Sequence, residues 1–491
     1  MSMRFLVAAG IFASAALLLV SPASAQSLLT TVSTSQIHPV LSPDAPDFTF
    51  GCAIDPTGAF AFVSVSGRVA FAAPGNYNNR ILKIDLATGT IVDEGTAGLF
   101  PEDLAIVVDG QGALDRLYVA DNGGSSVTVL DPNLSTVATV NLGLCFGSYS
   151  QFPFELAVSA DQTRLFVGSS GCDNLFIIDI DPASPSYHTI LSTVTYTGSH
   201  GAVAVHPSFP AQVVVGSSVL FGTFSGAYSQ VDLVDLSPAT PQVTSFPVGP
   251  QTTGDYASIN GILPLTGNRV LLVENSQFAA RLYEFDLALG QIVATHDLAT
   301  TIPGLANLAR ADLSANGRIV AVTDLDRRVI FYDLASRNVV STIVYAGSPQ
   351  PTTIARVPGS DRAVVCFQND EAVRIYGSLP ESLNLTTSGP AQSGQPFAFI
   401  TTGGAPFDAV LLAYSGVGAG PEVLVGYEVA LSSPIELFQA FPTDGQGIGF
   451  LPLTVPGDPA FIGLTAYFQA ATFQPQATLR LSEPVTVTVV P

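Results

Sequence analysis

The sequence has no tryptophan and one lysine, Lys83, among its 491 residues. The first absence excludes any cofactor made from tryptophan within this chain. The second leaves a single position for a Schiff base, with nothing around it that marks the activated amine such chemistry needs. Basic residues are scarce altogether, 17 Lys and Arg against 39 Asp and Glu, for a formal net charge of −22. So acidic a surface repels phosphate backbones and anionic lipid, and no nucleic acid is expected as a partner. There is no C-x-x-C-H for haem, no C-x-x-C pair for zinc, no H-E-x-x-H, no EF-hand loop and no G-x-S-x-G elbow. The histidines, His38, His188, His200, His206 and His296, lack metal-ligand spacing. Only His200, in "TGSHGAVAV", falls on a loop leading to an inner strand, where a hydrogen-bonded loop residue is the simpler role.

Long apolar runs are missing after the N-terminus, so no transmembrane segment is expected beyond it. The opening "MSMRFLVAAGIFASAALLLVSPASAQ" combines Arg4, an apolar stretch from Phe5 to Val20, and small residues at Ala23 and Ala25. That is the pattern of a signal peptide over residues 1–25, with the mature chain starting at Gln26 and a secreted or periplasmic location. A membrane anchor is the competing reading. It is weakened by Gly10, Ser14 and Ser21, which interrupt the run.

What the chain does have is 47% hydrophobic residues set in short runs among Ser, Thr, Gly and Pro. Helical spacing is not sustained anywhere, and the texture is that of an all-β protein with many turns. One order recurs seven times: an apolar strand, a turn, a second strand, a polar turn, a third strand ending in Asp, a turn and a fourth strand. Second strands include "DRLYVADN", "NRVLLVEN" and "GRIVAVTD"; third strands include "SSVTVLDP", "RLYEFDL" and "RRVIFYDL". Units restart roughly every 44 to 56 residues, the size of a four-stranded propeller blade, whereas a series of β-sandwiches would not restart so often.

The repeat therefore predicts a seven-bladed β-propeller over residues 26–378. Its last unit lacks a fourth strand, and "LLTTVSTSQIHP" resembles the fourth strands elsewhere, so the N-terminal strand should close the ring. After a linker at 379–382 the period stops, and residues 383–491 read as a β-sandwich domain.

"LYVADNGGSSVTVLDP" and "LFVGSSGCDNLFIIDI" resemble the YVTN type of secreted bacterial propeller over about residues 28 to 378. Most units depart from the Tyr-Val-Thr-Asn turn, carrying "VGSS", "VENS" or "VTDL" instead. The resemblance implies a fold; the family spans surface-layer proteins, lactonase-like enzymes and quinoprotein-like subunits. The C-terminal "IGLTAYFQA" and "LSEPVTVTV" resemble a module found on diverse exported bacterial proteins, which implies no activity.

Three sets of residues follow as candidates. In a propeller, the loop into a first strand and the loop between second and third strands emerge on the same face, so Cys145 and Cys172 are expected to bridge, with Cys52 and Cys366 left as thiols inside strands. The turns of that face carry Asp121 and Asn122, Glu274 and Asn275, Asp324 and Asp326, and Asn369, Asp370 and Glu371. Oxygen-rich groups suit Ca²⁺, and in lactonase-like propellers they hold a channel metal that polarises an ester. The same residues equally populate turns for local hydrogen bonding. Two longer loops on that face bear Phe71, Tyr77, Phe221, Phe224 and Tyr228, which suit either a binding surface or a plug. The reading that results is an exported, non-catalytic binding or scaffold protein with an unidentified protein, glycan or small-molecule partner. A metal-dependent lactonase-like hydrolase and a structural surface-layer component are the alternatives.

Overall fold

The computed structural model describes residues 27–34, 47–67, 79–377 and 384–491, apart from internal segments of which 221–225, 403–408 and 474–478 are the longest. Residues 1–25, expected to form a signal peptide, lie outside the described residues. No described helix is long and apolar enough to cross a membrane. The described chain is almost wholly strand, interrupted by 3-10 turns such as Asn122–Gly124 and Leu298–Thr300. It divides into two compact units, Leu28–Leu379 and a C-terminal one beginning at Pro380.

Seven four-stranded sheets are found among the described residues of the first unit. Six are built from consecutive strands. Their inner strands are Asp47–Ile54, Pro101–Val108, Pro153–Val158, Ser199–Val205, Ser258–Pro264 and Leu308–Leu313. The seventh takes Gln350–Arg356, Ala363–Gln368 and Ala372–Gly377 from the end of the unit and Ser27–Ser33 from its beginning. Each inner strand packs beside the next, and Asp47–Ile54 also packs beside Gln350–Arg356.

The burial pattern explains the sequence texture. Second strands are buried on both faces, as in Ile319–Asp324, because sheets stack on either side of them, and they read as continuous apolar runs. Outer strands such as Thr136–Asn141 meet solvent and mix in polar residues. Every successive pair of sheets shares a buried apolar cluster. The cluster between the seventh and the first includes Val32 of the N-terminal strand with Val63, Val364 and Val373.

Close approach at these seams constrains individual residues. Gly168 of the third sheet and Gly201 of the fourth face each other so closely that a Cβ on either would collide with the other's backbone. Hydroxyls tie the seams as well: Thr352 Oγ1 donates to the Thr49 carbonyl at 2.8 Å, and the Phe367 N–H donates to Thr49 Oγ1 at 2.7 Å, both between the seventh and first sheets.

In the C-terminal unit a three-stranded sheet and a six-stranded sheet are present. Phe397, Phe399 and Leu451 of the first share one core with Val410, Leu412, Phe441 and Ala470 of the second.

Candidate functional site

The seven inner strands share an irregularity. Each slips register against its second strand near its beginning, between Thr49 and Cys52, Pro101 and Leu104, Pro153 and Glu155, Ser199 and Ala202, Ile259 and Gly261, Leu308 and Ala311, and Pro351 and Thr353. A bulge leaves a residue out of the ladder and re-aims its side chain. At six of these slips, all but that of the fourth sheet, the bulged positions include Phe50, Glu102, Asp103, Phe154, Asn260, Arg310 and Thr352, and these line a common cavity of about 170 Å³.

The polar groups there have unequal partners. Arg310 is ion-paired with Glu155, and its guanidinium lies 4.7 Å from the centre of the Phe154 ring. The other Glu155 oxygen accepts the Val203 N–H at 2.9 Å, and Asp103 accepts the Leu156 N–H at 2.8 Å, so each carboxylate also clips the following inner strand. The Glu102 carboxyl accepts no hydrogen bond from any described residue. Half-buried and facing the cavity, it is pushed up to about 8 by burial, with Asp103 and Glu155 adding to the rise and Arg310 opposing it. Burial raises Asp103 and Glu155 too, against the same arginine.

The mouth onto which this cavity opens is fixed by topology. Strands alternate in direction, so the start of every inner strand, the turn between second and third strands, and the connection from one sheet to the next emerge on one face. Among the described residues that face exposes Leu99, Leu144, Tyr149, Leu220, Tyr256 and Phe278, with Tyr149 and Phe278 66% and 72% exposed. In the turns of the opposite face only Leu289 is comparable among the described residues. Leu144 and Tyr149 sit on a two-stranded hairpin, Leu144–Cys145 with Tyr149–Ser150, and Cys145 is disulfide-bonded to Cys172 across a Cα separation of 5.8 Å. Cys366 is a buried thiol and Cys52 a partly buried one.

The turn acids expected as ligands face inward to their own sheets. Asp121 is fully buried and accepts the Gly98 N–H at 2.8 Å, Ser126 Oγ at 2.8 Å and Thr128 Oγ1 at 2.7 Å. Glu274 accepts from Ser229, Tyr283 and Arg281 at 3.0, 3.0 and 3.3 Å. Both clamp the incoming connection, since Gly98 lies against Asp121 and Gly249 against Glu274 and Tyr283 with no room for a Cβ. Asn122 donates to the Pro153 carbonyl at 3.2 Å, and Asn275 pairs with Ala280 and Ser258 in its sheet. Asp324 accepts the Asp326 N–H at 2.6 Å, stands 3.8 Å from Arg328, and is pushed up to about 7 by burial. Asp370 pairs with Arg374 at 2.5 Å.

Among the described residues no group of three or more His, Cys, Asp or Glu is placed to hold a metal ion. Asn369, Phe71, Tyr77, Phe221 and Phe224 lie outside the described residues. Tyr228 is half-buried in the strand Ala227–Asp235, opposite Val219. His200 belongs to an inner strand rather than to a loop.

Sequence reasoning passed over Glu102, Asp103, Glu155 and Arg310. Their signal was present: charged residues at one repeat position, the start of otherwise apolar inner strands.

No family model matches the chain, and no curated protein matches it in sequence. Among solved structures it is similar to Kuenenia stuttgartiensis hydrazine synthase, with a TM-score of 0.53 and 15% identity over 70% of this chain and 98% of that one. At that identity the likeness is one of fold alone. Together with the four-stranded sheets it establishes an all-β, propeller-like architecture.

Proposed function

We propose that the chain is an exported, non-catalytic binding protein: a seven-bladed propeller of the YVTN type, closed by its N-terminal strand and followed by a β-sandwich module. Its ligand is taken at the mouth where the inner strands begin. The observation that carries this reading is the charged cavity at the centre of a face ringed by exposed apolar side chains. Apolar side chains exposed from several connections of one face of a rigid scaffold suit an interaction surface.

A hydrolase is the second reading, favoured by carboxyl groups raised toward neutrality beside a cavity, the condition a general acid needs. One pair of assays separates the two. The mature chain is incubated with a panel of lactones and aryl esters, with and without Ca²⁺, and is also used to select binders from a displayed random-peptide library. The binding reading expects no turnover, and selected peptides that lose binding to a Tyr149→Ser, Phe278→Ser variant. Turnover abolished by Glu102→Gln would replace it with the hydrolase.

A further inference from the structure

The cavity's size and charge narrow what the mouth can take. At about 170 Å³ it is smaller than the roughly 300–1,000 Å³ of sites that enclose a small-molecule ligand, and has room for one side chain. Its walls carry two carboxyl groups, Glu102 and Asp103, and one guanidinium, Arg310, with the Glu155 carboxylate paired to that guanidinium. That guanidinium is already committed to Glu155 and Phe154, and Asp103 accepts a backbone N–H. Glu102 remains, facing the cavity and accepting no hydrogen bond from any described residue. A desolvated carboxylate whose charge Arg310, already shared with Glu155, offsets only in part is costly, so the site favours an incoming cation.

The rim indicates what carries the cation. Leu144, Tyr149, Leu220, Tyr256 and Phe278 bring exposed apolar area to the same mouth, which a bare ion or a free amine does not use. A net charge of −22 draws basic partners from a distance.

We propose that the mouth docks a polypeptide segment in which one lysine or arginine stands between apolar residues, its cationic group entering the cavity to pair with Glu102 while its neighbours rest on the apolar rim. This deepens the binding reading above and rests on it. Pairing requires ionised Glu102, so affinity rises with pH up to about 8. The charged groups facing it are Asp103 on its own strand, Glu155 from the third sheet and Arg310 from the sixth.

The probe is a capped, fluorescein-labelled heptapeptide, Ser-Phe-Leu-Lys-Leu-Phe-Ser, titrated with the full mature chain and read by anisotropy. Saturable binding is expected, weakened about tenfold or more when glutamine replaces the peptide's lysine, and equally by Glu102→Gln. The peptide substitution tests the contact without altering the protein, and a thermal melt checks that Glu102→Gln is folded. Pentylamine should displace the peptide only at about a hundredfold higher concentration. Binding that ignores the lysine, ignores Glu102, or is matched by pentylamine overturns the proposal, as does the absence of saturable binding. Library selection separates the two levels: mouth-dependent binders without a basic residue sink this inference and leave the binding reading standing, whereas no mouth-dependent binder of any composition sinks both.

Discussion

Asp121 shows how a single carboxylate is decided by its donors. Three hydrogen bonds converge on it, one from a glycine N–H in the connection that enters its sheet. Removing the carboxylate leaves those donors buried without a partner, so Asp121→Ala should lower stability by about 2–3 kcal/mol in urea unfolding. An unchanged midpoint would contradict the clamp role. In the sequence Asp121 read as a turn former with a ligand role as the alternative, and neither reading could find its partner Gly98, 23 residues away. Glu102 was passed over for a different reason: its charge at the start of an apolar strand is legible, but not where it points. "PEDLAIVV" reads as a plain strand until a register slip turns its acids into the cavity, and no local pattern announces the slip.

The raised carboxyls also set a pH dependence. A carboxyl whose folded pKa exceeds its unfolded value binds more protons in the native state, so stability is greatest below the unfolded pKa and falls as pH rises through the folded one. For Glu102 that window runs from 4.5 to about 8, and for Asp324 from 3.8 to about 7. The chain should therefore melt at a higher temperature at pH 5.5 than at pH 8.5, and Glu102→Gln should shrink the difference. General charge repulsion acts in the same direction, and the comparison with the variant isolates the one group. Turn acids such as Asp85 and Asp179, held below the usual carboxylate range by hydrogen bonds, lose their contribution only in stronger acid and do not affect this window.

Among the elements, the strand Ser27–Ser33 is the outer strand of a sheet whose other members lie more than 300 residues later. Deleting it exposes a ladder edge and opens the cluster around Val32, so the first unit should melt at a lower temperature. An unchanged melt would mean that the strand is dispensable for closure. Gly201→Ala should be similarly damaging, because the collision it creates is with the Gly168 backbone, which cannot swing aside. The hairpin carrying Leu144 and Tyr149 depends on Cys145–Cys172, which closes a loop with a sequence separation of 27. Cutting it with Cys172→Ser removes about 3.5 kcal/mol in the chain-entropy account. Thiol titration of the denatured, unreduced protein should count Cys52 and Cys366 only. The strands themselves were legible because their alternation and turn residues repeat; the bulges were not, because they answer to the crowding of neighbouring inner strands.

For the molecule as a whole, repetition makes the architecture readable while the proposed binding chemistry sits where the repeats differ. Seven inner strands present a common slip, and only the unequal residues at it, Glu102, Asp103 and Arg310 among Phe, Asn and Thr, give the cavity its charge. The apolar rim is equally local, arising from connections that share no sequence. The account's central claim, that an unpaired Glu102 waits for an external cation at this mouth, is tested most directly by proton counting. Calorimetric titration of the lysine heptapeptide at pH 7, repeated in buffers of different ionisation enthalpy, should show roughly one proton released per peptide bound, because Glu102 must ionise to pair. Binding with no proton release would contradict it.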